Sequence, residues 1–231
     1  MMNLDDAIAS RRSVRAFLPK PVGRETVSTI LETASRAPSG TNIQPWKVHV
    51  LAGDARDDLT KAIMTARKAE GVTGTKPKPD PKKPDAEPPR RWAEPYLSRR
   101  RKVGWDLYGL LEIEKGDKPA MWRQHGRNYE FFDAPVGLMF VIDSDLEKPA
   151  WLDLGMFMQN VMLAARDEGL DTCPQGAWLH YADLVHEVLG LGDGERIASG
   201  MALGYADPDA PENTLVTERV EVDDFARFSG F

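Results

Sequence analysis

The chain has 231 residues, is 42% hydrophobic and carries a formal net charge of −6, enough apolar material for a sizeable core in one large domain or two small ones. A single cysteine, Cys173, excludes an intrachain disulfide and a cysteine-rich zinc site, and the acidic balance argues against broad nucleic-acid binding, which needs Lys and Arg massed on one face. There is no apolar run of transmembrane length, and Asp5 and Asp6 stand where a signal peptide needs positive charge, so the expectation is a soluble cytoplasmic protein with no membrane partner.

Asn3 is placed to cap a first helix, in which Asp5 and Asp6 suit the positive end of the dipole and Leu4, Ala7 and Ile8 share a face. At its exit stands Arg11-Arg12-Ser13-Val14-Arg15-Ala16-Phe17, whose three guanidiniums and hydroxyl serve either as a solvated helix end or as an anion site. Val27, Ile30, Leu31 and Ala34 predict a second helix over 24–37, stopped by Pro38 and Gly40. The turn at 39–45 offers small polar side chains and leads into a strand over 46–52, after which Gly53-Asp54 caps a third helix reaching roughly residue 69.

Composition changes at Gly71. Six prolines interleaved with Lys and Asp fill 71–91, where no regular element persists. An aromatic, basic stretch with helical spacing in at least two pieces follows, and its apolar content is too small for a separate core, so 71–129 reads as an insertion in a single domain. The near-continuous apolar run 134–142 predicts a central strand covered on both faces. A helix over 151–168, apolar almost all round, predicts a subunit interface and ends at Gly169. A short strand over 170–174, a helix over 182–189 and a glycine-bearing strand over 197–205 complete the body. The arm, 207–231, is extended, and its Phe225, Phe228 and Phe231 need a partner surface. This order predicts an α+β or α/β sandwich around a small mixed sheet.

Other patterns carry less. Gly190-Leu191-Gly192-Asp193-Gly194 follows a helix instead of a strand and reads as a loop, not a dinucleotide fingerprint. His180 and His186 have no third ligand, which leaves no metal site. Cys173 lacks a paired base and reads as a small buried residue.

The order of Arg-Arg-Ser-Val-Arg-Ala-Phe, Pro38-Ser39-Gly40-Thr41-Asn42-Ile43-Gln44-Pro45-Trp46, the apolar helix at 155–168, Cys173-Pro174-Gln175-Gly176 and Gly204-Tyr205-Ala206-Asp207-Pro208 resembles the nitroreductase family of FMN-dependent oxidoreductases. The resemblance covers 4–69 and 134–228. It implies an α+β, three-layer α-β-α sandwich with a mixed, mainly antiparallel sheet, in an entwined homodimer with FMN at the interface. It also implies that Arg11, Ser13 and Arg219 hold the phosphate, suited to bidentate guanidinium binding, with Arg12 in a less defined role. Arg15 would face the flavin N1 and O2, where positive charge favours the reduced form. Pro38, Ser39 and Asn42 would line the ribityl chain and ring edge from the other subunit. The backbone around Pro174, Gln175 and Gly176 would meet N5.

The implied activity is ping-pong hydride transfer from NADH or NADPH through the flavin to an electron-poor acceptor, foremost a nitroaromatic, with no catalytic side chain required. Trp92, Tyr96, Trp105, Tyr108 and Trp122 either anchor the insertion or line the pocket as stacking surfaces. The same residues are compatible with a dehalogenase, a dehydrogenase, a flavin-fragmenting enzyme, or a flavin-binding carrier or sensor.

Overall fold

The computed structural model describes residues 2–72 and 92–231; most of the proline-rich run lies outside them. In chain order the elements are α1 (Leu4–Ser10), α2 (Arg24–Ala34), β1 (Lys47–Ala52), α3 (Asp54–Glu70), α4 (Tyr96–Leu110), α5 (Lys118–Gly126), β2 (Val136–Asp143), α6 (Lys148–Asp167), β3 (Asp171–Gln175), α7 (Ala182–Leu189), β4 (Glu195–Gly204) and the single-turn α8 (Val222–Phe225). The sheet order is β1-β2-β4-β3 with antiparallel neighbours throughout. Among the described residues the parallel component is one isolated bridge, Ser13 to Thr172.

β2 shows why three layers form. Successive side chains of a strand point to opposite faces. Met139 and Val141 enter a core with Leu59 and Ile63 of α3 and Val185 of α7. Leu138, Phe140 and Ile142 enter the opposite core with Val27 and Ile30 of α2 and Leu154, Phe157 and Val161 of α6. The strand is therefore central and buried on both sides, as its apolar run implies. On the α3 and α7 side the rings of Phe131 and Trp178 lie directly over Gly137 and Gly200, where any Cβ would overlap them.

The Asn3 cap forms as expected, its oxygen accepting from the Asp6 amide at 2.8 Å. Leu4 and Ile8 nevertheless stay 65% and 52% exposed, so one chain alone does not cover that face. α2 stops three residues short of residue 37. The Ser35 hydroxyl donates to the Glu32 carbonyl at 2.7 Å, and Pro38 biases Ala37 away from helical ψ. Gly53, at φ 53°, is the cap of α3, and Asp54 sits inside its first turn without a side-chain cap bond. The strand expected over 170–174 runs through Gln175: Cys173 and Gln175 pair with Ala202 and Gly200 of β4, and the chain turns at Gly176, into a 3-10 stretch ending at Tyr181. β3 lies at the sheet edge, which tolerates the missing amide of Pro174.

The insertion divides unequally. α4 contributes no buried residue, whereas Tyr129, Phe131 and Phe132 after α5 are in the core. α5 is fastened to α3 by Arg67, only 7% exposed. Its guanidinium donates to the Trp122 carbonyl and lies 4.4 Å from the Trp122 ring centroid, the cation–π contact offsetting part of the desolvation. The C-terminal arm begins with a 3-10 turn, Pro211–Thr214, and leaves Phe225, Phe228 and Phe231 67%, 65% and 105% exposed. No helix among the described residues is long and apolar enough to cross a membrane.

Candidate functional site

Beyond α1 the chain is extended and sewn down by its backbone. The Val14 amide donates to the Thr172 carbonyl at 3.0 Å, Phe17 to Phe132 at 3.1 Å and Leu18 to Tyr205 at 2.9 Å. Because extended backbone alternates its side chains, Val14 and Ala16 enter the core while Ser13 and Arg15 face outward, half-buried. The outward groups converge on β3. Burial pushes the Cys173 thiol up to about 11, opposed by the nearby Arg15 charge, a hydrogen bond with Ser13 and the Arg11 charge. Three of the residues expected at one site thus lie near enough to this buried thiol to bear on its ionisation.

Their bonding leaves donors free. The Arg15 guanidinium donates to the Ser13 carbonyl at 3.2 Å. The side chains of Arg11 and Arg12 make no hydrogen bond or ion pair with any described residue. Guanidinium groups left without a carboxylate beside a hydroxyl are the donor set a phosphate takes, so the residues present fit an anionic, phosphate-bearing group.

The second segment is built differently. Thr41, Asn42 and Gln44 adopt φ of 48°, 61° and 49°, a left-handed region that costs non-glycine residues energy and recurs at binding sites. The turn bonds to itself: the Gln44 amide donates to Ser39 Oγ at 3.1 Å, and Gln44 Nε2 to the Asn42 carbonyl at 3.1 Å. It reaches the body at two points. The Gly40 amide donates to Asp153 Oδ2 at 3.0 Å, and Trp46 stacks on Phe157 with centroids 4.8 Å apart. Pro38 and Asn42 are exposed and Ser39 half-buried.

α6 holds both segments, at opposite ends. Near its C-terminus Arg166 donates to Ser10 Oγ at 3.2 Å and to Asp171 Oδ1 at 2.6 Å, fixing the exit of α1. Between Asp153 and Arg166 the helix rises about 20 Å. Within one chain, therefore, the two segments stay apart.

The remaining expected residues separate by role. Gln175, 2% exposed, spends its side chain internally: Nε2 donates to the Asn128 carbonyl at 2.6 Å and Oε1 accepts from Trp178 Nε1 at 3.2 Å. Pro174 is half-buried and Gly176 exposed at the strand end. Arg219 bonds only within its own turn, to Thr217 and the Glu218 carbonyl, and does not reach Arg11 or Ser13 of its own chain. Of the five aromatic candidates, Trp122 is engaged by Arg67 and Tyr108 is half-buried, edge-on to Trp105. Trp92, Tyr96 and Trp105 remain 43%, 59% and 40% exposed. No cluster of His, Cys, Asp or Glu among the described residues could hold a metal.

Sequence reading passed over Asp153, Glu212 and Asn213, which are 7%, 4% and 4% exposed. Asp153 did leave a signal, since it is a lone carboxylate in the apolar run Trp151 to Met158. Glu212 accepts from Arg127 at 2.9 Å, a long-range pairing with no local pattern.

The nitroreductase family model matches residues 8–205. The chain belongs to the nitroreductase family. Two relatives of this nitroreductase-family chain are similar over nearly their full lengths. A 4-nitrobenzoate reductase of Pseudomonas putida is 42% identical over 229 residues, covering 99% of this chain and 96% of its own. A nitrobenzene nitroreductase of Ectopseudomonas oleovorans is 38% identical, with 97% and 96% covered. Among solved structures, the FMN and NADPH-dependent nitroreductase NfnB of Sphigopyxis sp. strain HMH superposes with a TM-score of 0.90 at 40% identity over 100% of both chains.

Proposed function

We propose that this chain is an FMN-dependent nitroreductase that carries electrons from NADPH or NADH to a nitroaromatic acceptor. The observation that carries the reading is the group of uncommitted cations beside β3, Arg11 with Ser13 and Arg15, in a chain whose relatives include reductases of 4-nitrobenzoate and nitrobenzene. When bound, FMN would supply the two-electron transfer between donor and acceptor. Arg11 and Ser13 would bind its phosphate, with Arg12 close by. Arg15 would stabilise negative charge at the ring edge, and the backbone at Pro174, Gln175 and Gly176 would orient the ring.

Pro38, Ser39 and Asn42 would complete the site from a second copy, because α6 anchors their turn and the exit of α1 at points about 20 Å apart along its axis. The arm would embrace that copy and carry Arg219 to the phosphate. Leu4, Ile8, Leu152 and the three arm phenylalanines, all exposed in the single chain, are the apolar surface this homodimer would bury, at about 1.5–3 kcal/mol for each large side chain fully covered. The chain is read as one domain, with 71–129 as a lid and Trp92, Tyr96 and Trp105 as its exposed aromatic surfaces. The cytoplasm, where NAD(P)H is available, is the location this activity requires.

The test is spectroscopic and kinetic on one sample. Purified protein should bind FMN as a dimer and oxidise NADPH or NADH when 4-nitrobenzoate or nitrobenzene is supplied. A protein that binds no FMN, or that binds it and reduces no nitroarene, overturns the reading.

A further inference from the structure

Asn213 stands in the arm yet is 4% exposed, and its amide is committed to the segment that carries the cations. Oδ1 accepts from the Arg15 amide at 2.7 Å. Nδ2 donates to the Ala16 carbonyl at 2.8 Å and to the Asp207 carbonyl at 2.9 Å. The neighbouring amides of Val14, Phe17 and Leu18 all find backbone carbonyls; the Arg15 amide is the one held by a side chain. Only a carboxamide offers an acceptor and two donors in this arrangement: Asp removes both donors and buries charge, and Ala removes everything. The turn that presents it is itself pinned. Glu212 is paired with Arg127 at 2.9 Å, and Arg127 reaches Asp133 at 2.6 Å.

We propose that Asn213 is the positioning residue for Arg15: by fixing the Arg15 backbone between Ser13 and Phe17 it aims the guanidinium at the flavin ring, and so helps set the potential of bound FMN. This rests on the reading that Arg15 faces the ring. The phosphate end, at Arg11, is not under its control.

Three measurements on Asn213→Ala, Arg15→Gln and the double variant test this: the two-electron midpoint potential of bound FMN, the FMN dissociation constant, and hydrogen exchange of residues 13–17 in the apoprotein. Asn213→Ala should accelerate exchange at Arg15 and weaken the preference for reduced over oxidised FMN about tenfold, which is about 30 mV for a two-electron couple. In the Arg15→Gln background the same change should add almost no shift, the signature of two groups acting as one. Asn213→Ser, which keeps a neutral side-chain oxygen toward the Arg15 amide and adds no charge, should shift the potential less than Asn213→Ala, and it serves if the alanine variant does not fold. A fall in thermal stability with the potential unmoved, or a shift that is as large without Arg15, overturns the proposal. If Arg15→Gln itself leaves the potential unchanged, the ring-facing role of Arg15 fails, separately and visibly.

Discussion

The two segments that carry the candidate site are held in place by opposite means. Residues 11–17 have no helix or strand of their own; other parts of the chain hold their backbone, Thr172 from β3, Phe132 from the stretch before β2 and Asn213 from the arm. The side chains of Arg11 and Arg12 are left without a hydrogen-bond or ion-pair partner among the described residues as a result. Residues 39–44 are held by their own hydrogen bonds and by left-handed backbone, and touch the body through Asp153 and Trp46. One region is preorganised by its surroundings and can bear side-chain changes. The other stores local strain and depends on a few anchors.

That contrast can be broken at the cations first. Arg11→Ala should weaken FMN binding about 10- to 100-fold, the equivalent of one lost charged hydrogen-bonding group at about 1.5–3 kcal/mol, by fluorescence titration. Its melting temperature should stay within a degree or two, since the side chain has no partner among the described residues.

Cys173 sharpens the same side. The unfolded thiol ionises near 9.0, while burial holds the folded thiol protonated up to about 11. The folded chain thus keeps a proton the unfolded chain has released, and stability from this group, complete below pH 9, is lost as pH rises to 11. Denaturant melts across that window should show wild type losing about 2 kcal/mol more than Cys173→Ala.

The anchored turn should respond to a change far from it in sequence. Asp153→Ala frees the Gly40 amide and should weaken FMN binding about tenfold, or about 1.4 kcal/mol, with Asp153→Asn recovering part because it keeps an acceptor. If the affinity is untouched while hydrogen exchange at 39–44 rises, the turn does not contribute to the site. The smallest effect belongs to Thr41→Gly, at φ 48°. Relief of left-handed strain and loss of backbone entropy oppose each other, so stability should change by under about 1 kcal/mol, read by thermal melting.

Much of this architecture was legible in the residues. The continuous apolar run of β2, the helical spacing in α2 and the Asn3 cap are local patterns, and the structure follows them. The nearness of Arg11, Ser13 and Arg15 to Cys173 was not read from the sequence, where Cys173 stood only as a small buried residue. What escaped was non-local. The strand expected over 170–174 was there, but its extension through Gln175 rests on pairing with Gly200 of β4, which no local pattern announces. Trp122 looked available until Arg67, 55 residues earlier, claimed it. Asn213 gave no signal because two of its three partners, Arg15 and Ala16, lie 198 and 197 residues earlier in the chain.

α6 also has a genetic consequence. If each site takes its cations from one chain and its strained turn from the other, a chain damaged at Arg11 and a chain damaged at Asp153 are not equally lost when produced together. Their mixed pair would hold one site with both defects and one with neither. Two inactive alleles would then complement each other to about half the normal activity per mixed pair, because a single helix places the two halves of a site beyond each other's reach.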